Sequence, residues 1–195
     1  QKNFNRELAV LYPGTTLGSA AINDSKSYVN TASIGNASMA IGMMTQSYGT
    51  GSTAIGVNTL TKGIASTGIG GMARSWSAKS LAHGSRAETY GNKSTAVGDA
   101  NTVGLDMTDG TVSGASSAAV GTENTVYGNN AYAVGGGNTV GSATITETTE
   151  ANGDKIKHVT AGTVKGNTAG AFGYKNTIKA DNAYTVGSNS TVSAD

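Results

Sequence analysis

The residues in this chain that could move a proton or hold a metal are two histidines, His83 and His158, set among serines that occur throughout the 195 residues. A serine, a histidine and a carboxylate form a nucleophilic triad only when the fold brings them within hydrogen-bond reach. Nothing in the spacing of these residues enforces that. No pair of carboxylates recurs at a separation suited to general acid and base work, and no glycine-aspartate nonapeptide of the calcium-binding kind occurs. Cysteine is absent, which excludes disulfides and thiolate metal sites. The string GIGGMA at 68–73 superficially matches a dinucleotide loop, but no helix follows it. Asn36, Asn92 and Asn189 open N-x-S/T triplets that a chain rich in Asn, Ser and Thr produces by chance. Catalytic residues, cofactors and metals are therefore not expected.

The elements that must position any functional side chain are written in the glycines. Gly35, Gly42, Gly49, Gly56, Gly63, Gly70, Gly84, Gly91 and Gly98 stand on one ladder of seven, with Ser77 in place of the one missing rung. Chance would place only about one or two of the 29 glycines on such a ladder, so this is an internal repeat. Aligned in fourteens, blocks open SMAIG at 38, STAIG at 52, STGIG at 66, SLAHG at 80 and STAVG at 94, and the pentad returns as SAAVG, AYAVG, AGAFG and AYTVG. These later copies extend the series of turn glycines to Gly121, Gly128, Gly135, Gly173 and Gly187.

Within a pentad small residues at positions one and three alternate with bulkier ones at two and four, the period of a strand. The bulky face is expected to fill an interior and the small face to allow close approach of a neighbour. On that reading His83, at position four, packs or meets a polar partner inside. Glycine ends the strand, a pair such as Val57 and Asn58 rounds the corner, and a second short strand closes the circuit. Each fourteen is one coil of an all-β parallel β-roll, two short strands per coil.

The second strand of each coil carries a candidate contact strip at positions nine and eleven: Gln46 and Tyr48, Leu60 and Lys62, Arg74 and Trp76, Glu88 and Tyr90. Trp, Tyr and Arg concentrate energy in interfaces, but a file of such residues also serves as a packed ladder that stabilises its own sheet. Both readings stand.

Two insertions interrupt the fourteens. Between Gly98 and Gly121 a small loop or hairpin is expected near 104–116, turning at Asp109-Gly110. Between Gly135 and Gly173 a hairpin over 142–166 is expected to protrude around Asn152-Gly153. It holds the densest charge in the chain, Glu147, Glu150, Asp154, Lys155, Lys157, Lys165 and His158, and is either a binding element or a solvated hairpin that merely decorates the roll or braces a neighbouring subunit. Residues 1–30 lack the repeat and carry the only proline, Pro13. They read as a cap over the first coil's open edge, or as part of a preceding segment. The roll then spans 31–141 and resumes at 167–195.

SMAIG at 38–42, STAIG at 52–56, STAVG at 94–98 and SAAVG at 117–121 resemble the pentads of the YadA-like heads of trimeric autotransporter adhesins, over about residues 31–141 and 167–195. SLAHG departs from the pattern by placing His83 where isoleucine or valine is usual, and STGIG by replacing alanine with Gly68. The resemblance implies a left-handed β-roll and three identical chains side by side. It further implies display on the outer surface of a Gram-negative cell, with the membrane anchor of the parent protein outside these residues. The partners implied are the chain itself and a host receptor, an extracellular matrix protein or another bacterial surface. Nucleic acid is not expected, because the 13 basic and 12 acidic residues leave a net charge of +1 and the basic residues do not cluster. Three other classes compete with an adhesin. An ice-binding solenoid would use Thr53, Thr67 and Thr95, although Met39, Leu81 and Tyr132 break their file; an acyltransferase β-helix would advance by hexads and not sevens; a structural spacer would bind nothing.

Overall fold

The computed structural model describes residues 32–107, 112–149, 155–160 and 163–193. The expected cap at 1–30, both insertion turns, and Glu150 and Asp154 lie outside the described residues. The described chain is a parallel β-solenoid of about ten turns, without a helix. Nine strands, most of five residues, from Met39–Met43 to Tyr184–Ser188, stack into one parallel sheet, and ten two-residue strands, from Ala32–Ser33 to Thr191–Val192, stack into a second. The register is one fourteen per rung: Gly42 pairs with Gly56 and Gly56 with Gly70, and Gly98 meets Gly121 across the first insertion.

The pentad glycines have φ between 115° and 136° and, except Gly84 just after Leu81–His83, lie inside the long strands instead of ending them. A side chain at Gly56 would be strained by its φ of 136° and would collide with the backbone of Gly70 in the next coil. The corners belong to other residues. Asn58 and Ala65, with φ of 54° each, turn the two corners of one coil, and among the described residues sixteen that are not glycine share that left-handed conformation. Left-handed backbone costs an L-residue roughly 1–2 kcal/mol. Stacking holds it in place, since the Asn58 amide donates to the Met43 carbonyl and the Ala65 amide to Thr50, each at 2.8 Å.

The faces of the long strands are the reverse of the expectation from size. The small residues point inward: Ala54, Ala82, Ala96, Ala119, Ala133 and Ala171 are fully buried. The bulky ones point out, with Ile41 at 50 % exposure and Tyr184 at 61 %. The thinness of the coil is the reason. A Cβ added to Gly68, on the inner face, would sit 3.0 Å from the Cγ2 methyls of both Thr59 and Thr61, so two facing sheets this close admit alanine and nothing much larger. His83 follows the bulky face and is exposed on the outside, in register with Ile69 and Val97.

Four columns fill the interior. Positions one and three come from the long sheet, for example Ser52 and Ala54, and positions eight and ten from the short one, for example Thr59 and Thr61. Most hydroxyls inside are satisfied locally, Thr185 Oγ1 being an exception: Ser52 Oγ donates to the Gly49 carbonyl at 2.6 Å, and Thr59 Oγ1 to the Gly70 carbonyl at 2.6 Å. In the later coils position eight becomes a ladder of buried asparagines, Asn101, Asn124, Asn138 and Asn176. Asn138 Nδ2 donates to Asn124 Oδ1 and to the Gly173 carbonyl, each at 2.9 Å, and Asn176 Nδ2 donates to Asn138 Oδ1 at 3.1 Å.

Candidate functional site

Three surfaces stand out from the roll: the strip on the short sheet, the insertions, and the bulky face of the long sheet. In the short sheet position ten points inward, so its neighbours nine and eleven face out, and Gln46, Leu60, Arg74 and Glu88 form one file in consecutive register. Arg74 and Glu88 approach to 3.7 Å. Lys62 Nζ lies 4.4 Å from the Trp76 ring centre, and Trp76 stacks on Tyr90 with centroids 5.8 Å apart and planes inclined by 11°. The faces of Trp76 are thus spent inside the chain, one on a cation and one on an aromatic ring. At its centre the strip is a packed ladder. Its N-terminal end, where Tyr48 and Lys62 are exposed and Tyr48 Oη donates to Gln46 Oε1 at 3.0 Å, remains open.

Tyr90 is almost fully buried because the insertions cover it. Both insertions leave the coil after position eleven and rejoin it at position twelve, with one coil between them. Each is pinched at its base by two glycines of positive φ, Gly104 (71°) with Gly114 (73°) and Gly141 (98°) with Gly166 (82°). The chains approach so closely that a Cβ on Gly114 would lie 2.5 Å from the Cα of Gly104. Stacking of the coils therefore passes the insertions without a break.

Beyond the pinches the two insertions join. Ile145–Thr149 and Lys155–Val159 form the expected antiparallel hairpin, and Asp106–Met107 of the first insertion adds to it as a parallel third strand, Asp106 opposite His158. This small sheet rests on the strip through Leu105 and Val159, both buried against Tyr90, with Trp76, Tyr127, Ala143 and Val164 around them. Burial raises the pKa of the Tyr90 hydroxyl, and the negative charges of Glu88 and Asp106 raise it further. Its hydroxyl donates to Glu88 Oε2 at 3.4 Å and stays protonated across the range in which proteins are handled. Burial likewise raises the pKa of Tyr127.

His158 and Thr148 share a hydrogen bond of 2.7 Å on the exposed part of the hairpin, and Glu147 pairs in register with Lys157. His83 lies on the long sheet and His158 beside the short one, so the fold does not bring the two histidines together. Among the described residues no cluster of three or more His, Asp or Glu could hold a metal. Sequence reasoning missed Leu105, Tyr127 and Val159 and the pairing of the two insertions. A signal existed: both interruptions follow position eleven and resume at a glycine, which places them on the same corner.

The third surface is the most extensive. Along the nine rungs of the long sheet, position four carries Ile, Val or Phe everywhere except at His83. Position two adds Met39, Tyr132 and Tyr184, exposed at 38 %, 45 % and 61 %. No protein-family model matches the chain, and no curated protein matches it.

Proposed function

We propose that the chain is a non-enzymatic, multivalent adhesin head that assembles as a side-by-side homotrimer. In this reading the coil is a left-handed β-roll, the cell surface of a Gram-negative bacterium is its location, and a host receptor, matrix protein or other bacterium is its partner. The observation that carries the reading is the bulky face of the long sheet. Nine rungs about 4.8 Å apart and five residues wide amount to about 600 Å². That footprint, which threonines, glycines and His83 share with the apolar side chains, approaches the roughly 800 Å² that each partner gives to a standard interface. Copies of one chain present identical files at identical spacing, so the face matches itself rung for rung. Three linked heads then gain avidity without any new contact.

Receptor contact belongs to what the assembly leaves free: the joined insertions, and the open end of the strip at Gln46, Tyr48 and Lys62. Sedimentation at micromolar concentration is expected to give a trimer. Deleting 143–164 is expected to keep that trimer and to lower attachment to matrix-coated or cell-coated surfaces at least tenfold. A monomer under these conditions rejects the assembly, and unchanged attachment by the deletion rejects the insertions as the binding element.

A second reading, an ice- or crystal-binding solenoid, draws on an unbroken file of outward threonines at position nine, Thr102, Thr125, Thr139, Thr177 and Thr191, in consecutive register. Thermal hysteresis of a micromolar solution near 0 °C would establish it, and its absence would eliminate it.

A further inference from the structure

We propose that His83 makes the self-association of this head acid-sensitive, an inference that rests on the side-by-side assembly proposed above. The file it interrupts is otherwise Ile69 before it and Val97 after it, with Ile55 and Val120 beyond. A neutral imidazole is tolerated in an apolar seam, because only its ring nitrogens need partners. An imidazolium there would lose water without gaining a counter-charge.

The groups around it supply none. The neighbouring strand Thr67–Gly71 has no titratable side chain, and Thr95–Asp99 has only Asp99. Asp99 is engaged by Arg86, from the corner that follows His83, at 3.1 Å. At the other edge of the sheet the corner residues Lys79 and Lys93, just before these strands, bring only positive charge, and further along come Glu123, at a corner, and Tyr132. The same set comes from a second copy in a parallel assembly. The sign follows from proton counting. A charged His83 is disfavoured in the seam and tolerated outside it, so association weakens as acid is added.

Proton uptake by each of three subunits on release is expected to lower the trimer association constant by roughly 100-fold between pH 6.5 and 5.5. The test is sedimentation of the wild-type chain, His83→Gln, His83→Val and His158→Gln at pH 8.0, 6.5 and 5.5, with far-UV circular dichroism to confirm that every species stays folded. The expected result is a trimer at pH 8.0 for all four and dissociation at pH 5.5 for wild type and His158→Gln only. His83→Val and His83→Gln should remain assembled throughout, His83→Val the more tightly. A wild-type trimer indifferent to pH overturns the role of His83 and leaves the assembly standing. Dissociation of His83→Gln along with the wild type overturns it too. A monomer at pH 8.0 for all four removes the assembly itself.

Discussion

The coils before residue 100 and those after it are built on one backbone and filled with different chemistry. In the earlier coils the inward column of the short sheet is Ser47, Thr61, Ser75 and Thr89, cross-linked by hydroxyl contacts such as Ser47 to Thr61 at 3.0 Å and Ser75 to Thr89 at 3.2 Å. In the later coils the same column is Val103, Val126, Val140 and Ile178. The neighbouring column changes at the same place, from Thr45, Thr59, Ala73 and Ala87 to the asparagine ladder. The outer strip changes with them, from paired charges and stacked rings to threonines. The coil length does not change. The period is therefore a property of the backbone, of glycines that let successive coils touch and corners that stacking holds left-handed. The filler needs only to be small and satisfied.

That comparison is broken most forcefully at the shared backbone. Gly56→Ala in the hydroxyl-filled half and Gly121→Ala in the other should be equally severe, each costing about 4 kcal/mol or more, since both would collide with the next coil at a φ of 136° or 119°. Urea unfolding would check this, and a mild effect in either half would show that the filler sets the period after all. Next in size is the boundary where the insertions dock. Tyr90→Ala should cost about 3 kcal/mol and release the three-stranded sheet, seen as faster amide exchange over 145–159, because Tyr90 is buried beneath Leu105 and Val159. Tyr48→Ala, at the exposed end of the same file, should leave that exchange unchanged. The smallest effects sharpen the difference between the interiors. Asn138→Ala strips partners from buried groups on both neighbouring rungs, Asn124 Oδ1 and the amide and Nδ2 of Asn176, and should cost about 2–3 kcal/mol. Thr59→Ala loses one hydroxyl, which donates to the Gly70 carbonyl at 2.6 Å and more weakly to Ile55 at 3.5 Å, at a column that already accepts Ala73 and Ala87, and should cost about 1 kcal/mol.

Much of the coil was legible because its signals are local. The fourteen-residue period, the two strands and a hairpin within 142–166 follow from glycine spacing and alternation, which a chain shows without folding. The orientation of the strands was not legible. Alternation of Ala54 with Ile55 says that two faces differ, and size alone favoured Ile55 inside, which misplaced His83 as well. The strip was half legible: alternation places Gln46, Leu60, Arg74 and Glu88 in one outward file, but it does not show that Trp76 packs between Lys62 and Tyr90 or that Tyr90 lies under Leu105.

By itself, then, the sequence determined the length of a coil, the positions where only glycine fits, and where the repeat is interrupted. Which face lies inside was decided by the distance between the two sheets, which is so short that a methyl group at Gly68 would already sit 3.0 Å from the methyls of Thr59 and Thr61. The joining of the two insertions was decided by stacking, which brings corners 37 residues apart in the chain to within one intervening coil of each other. Both are matters of how far apart the coils and sheets come to rest, a quantity that no single segment carries because it is set by every rung at once.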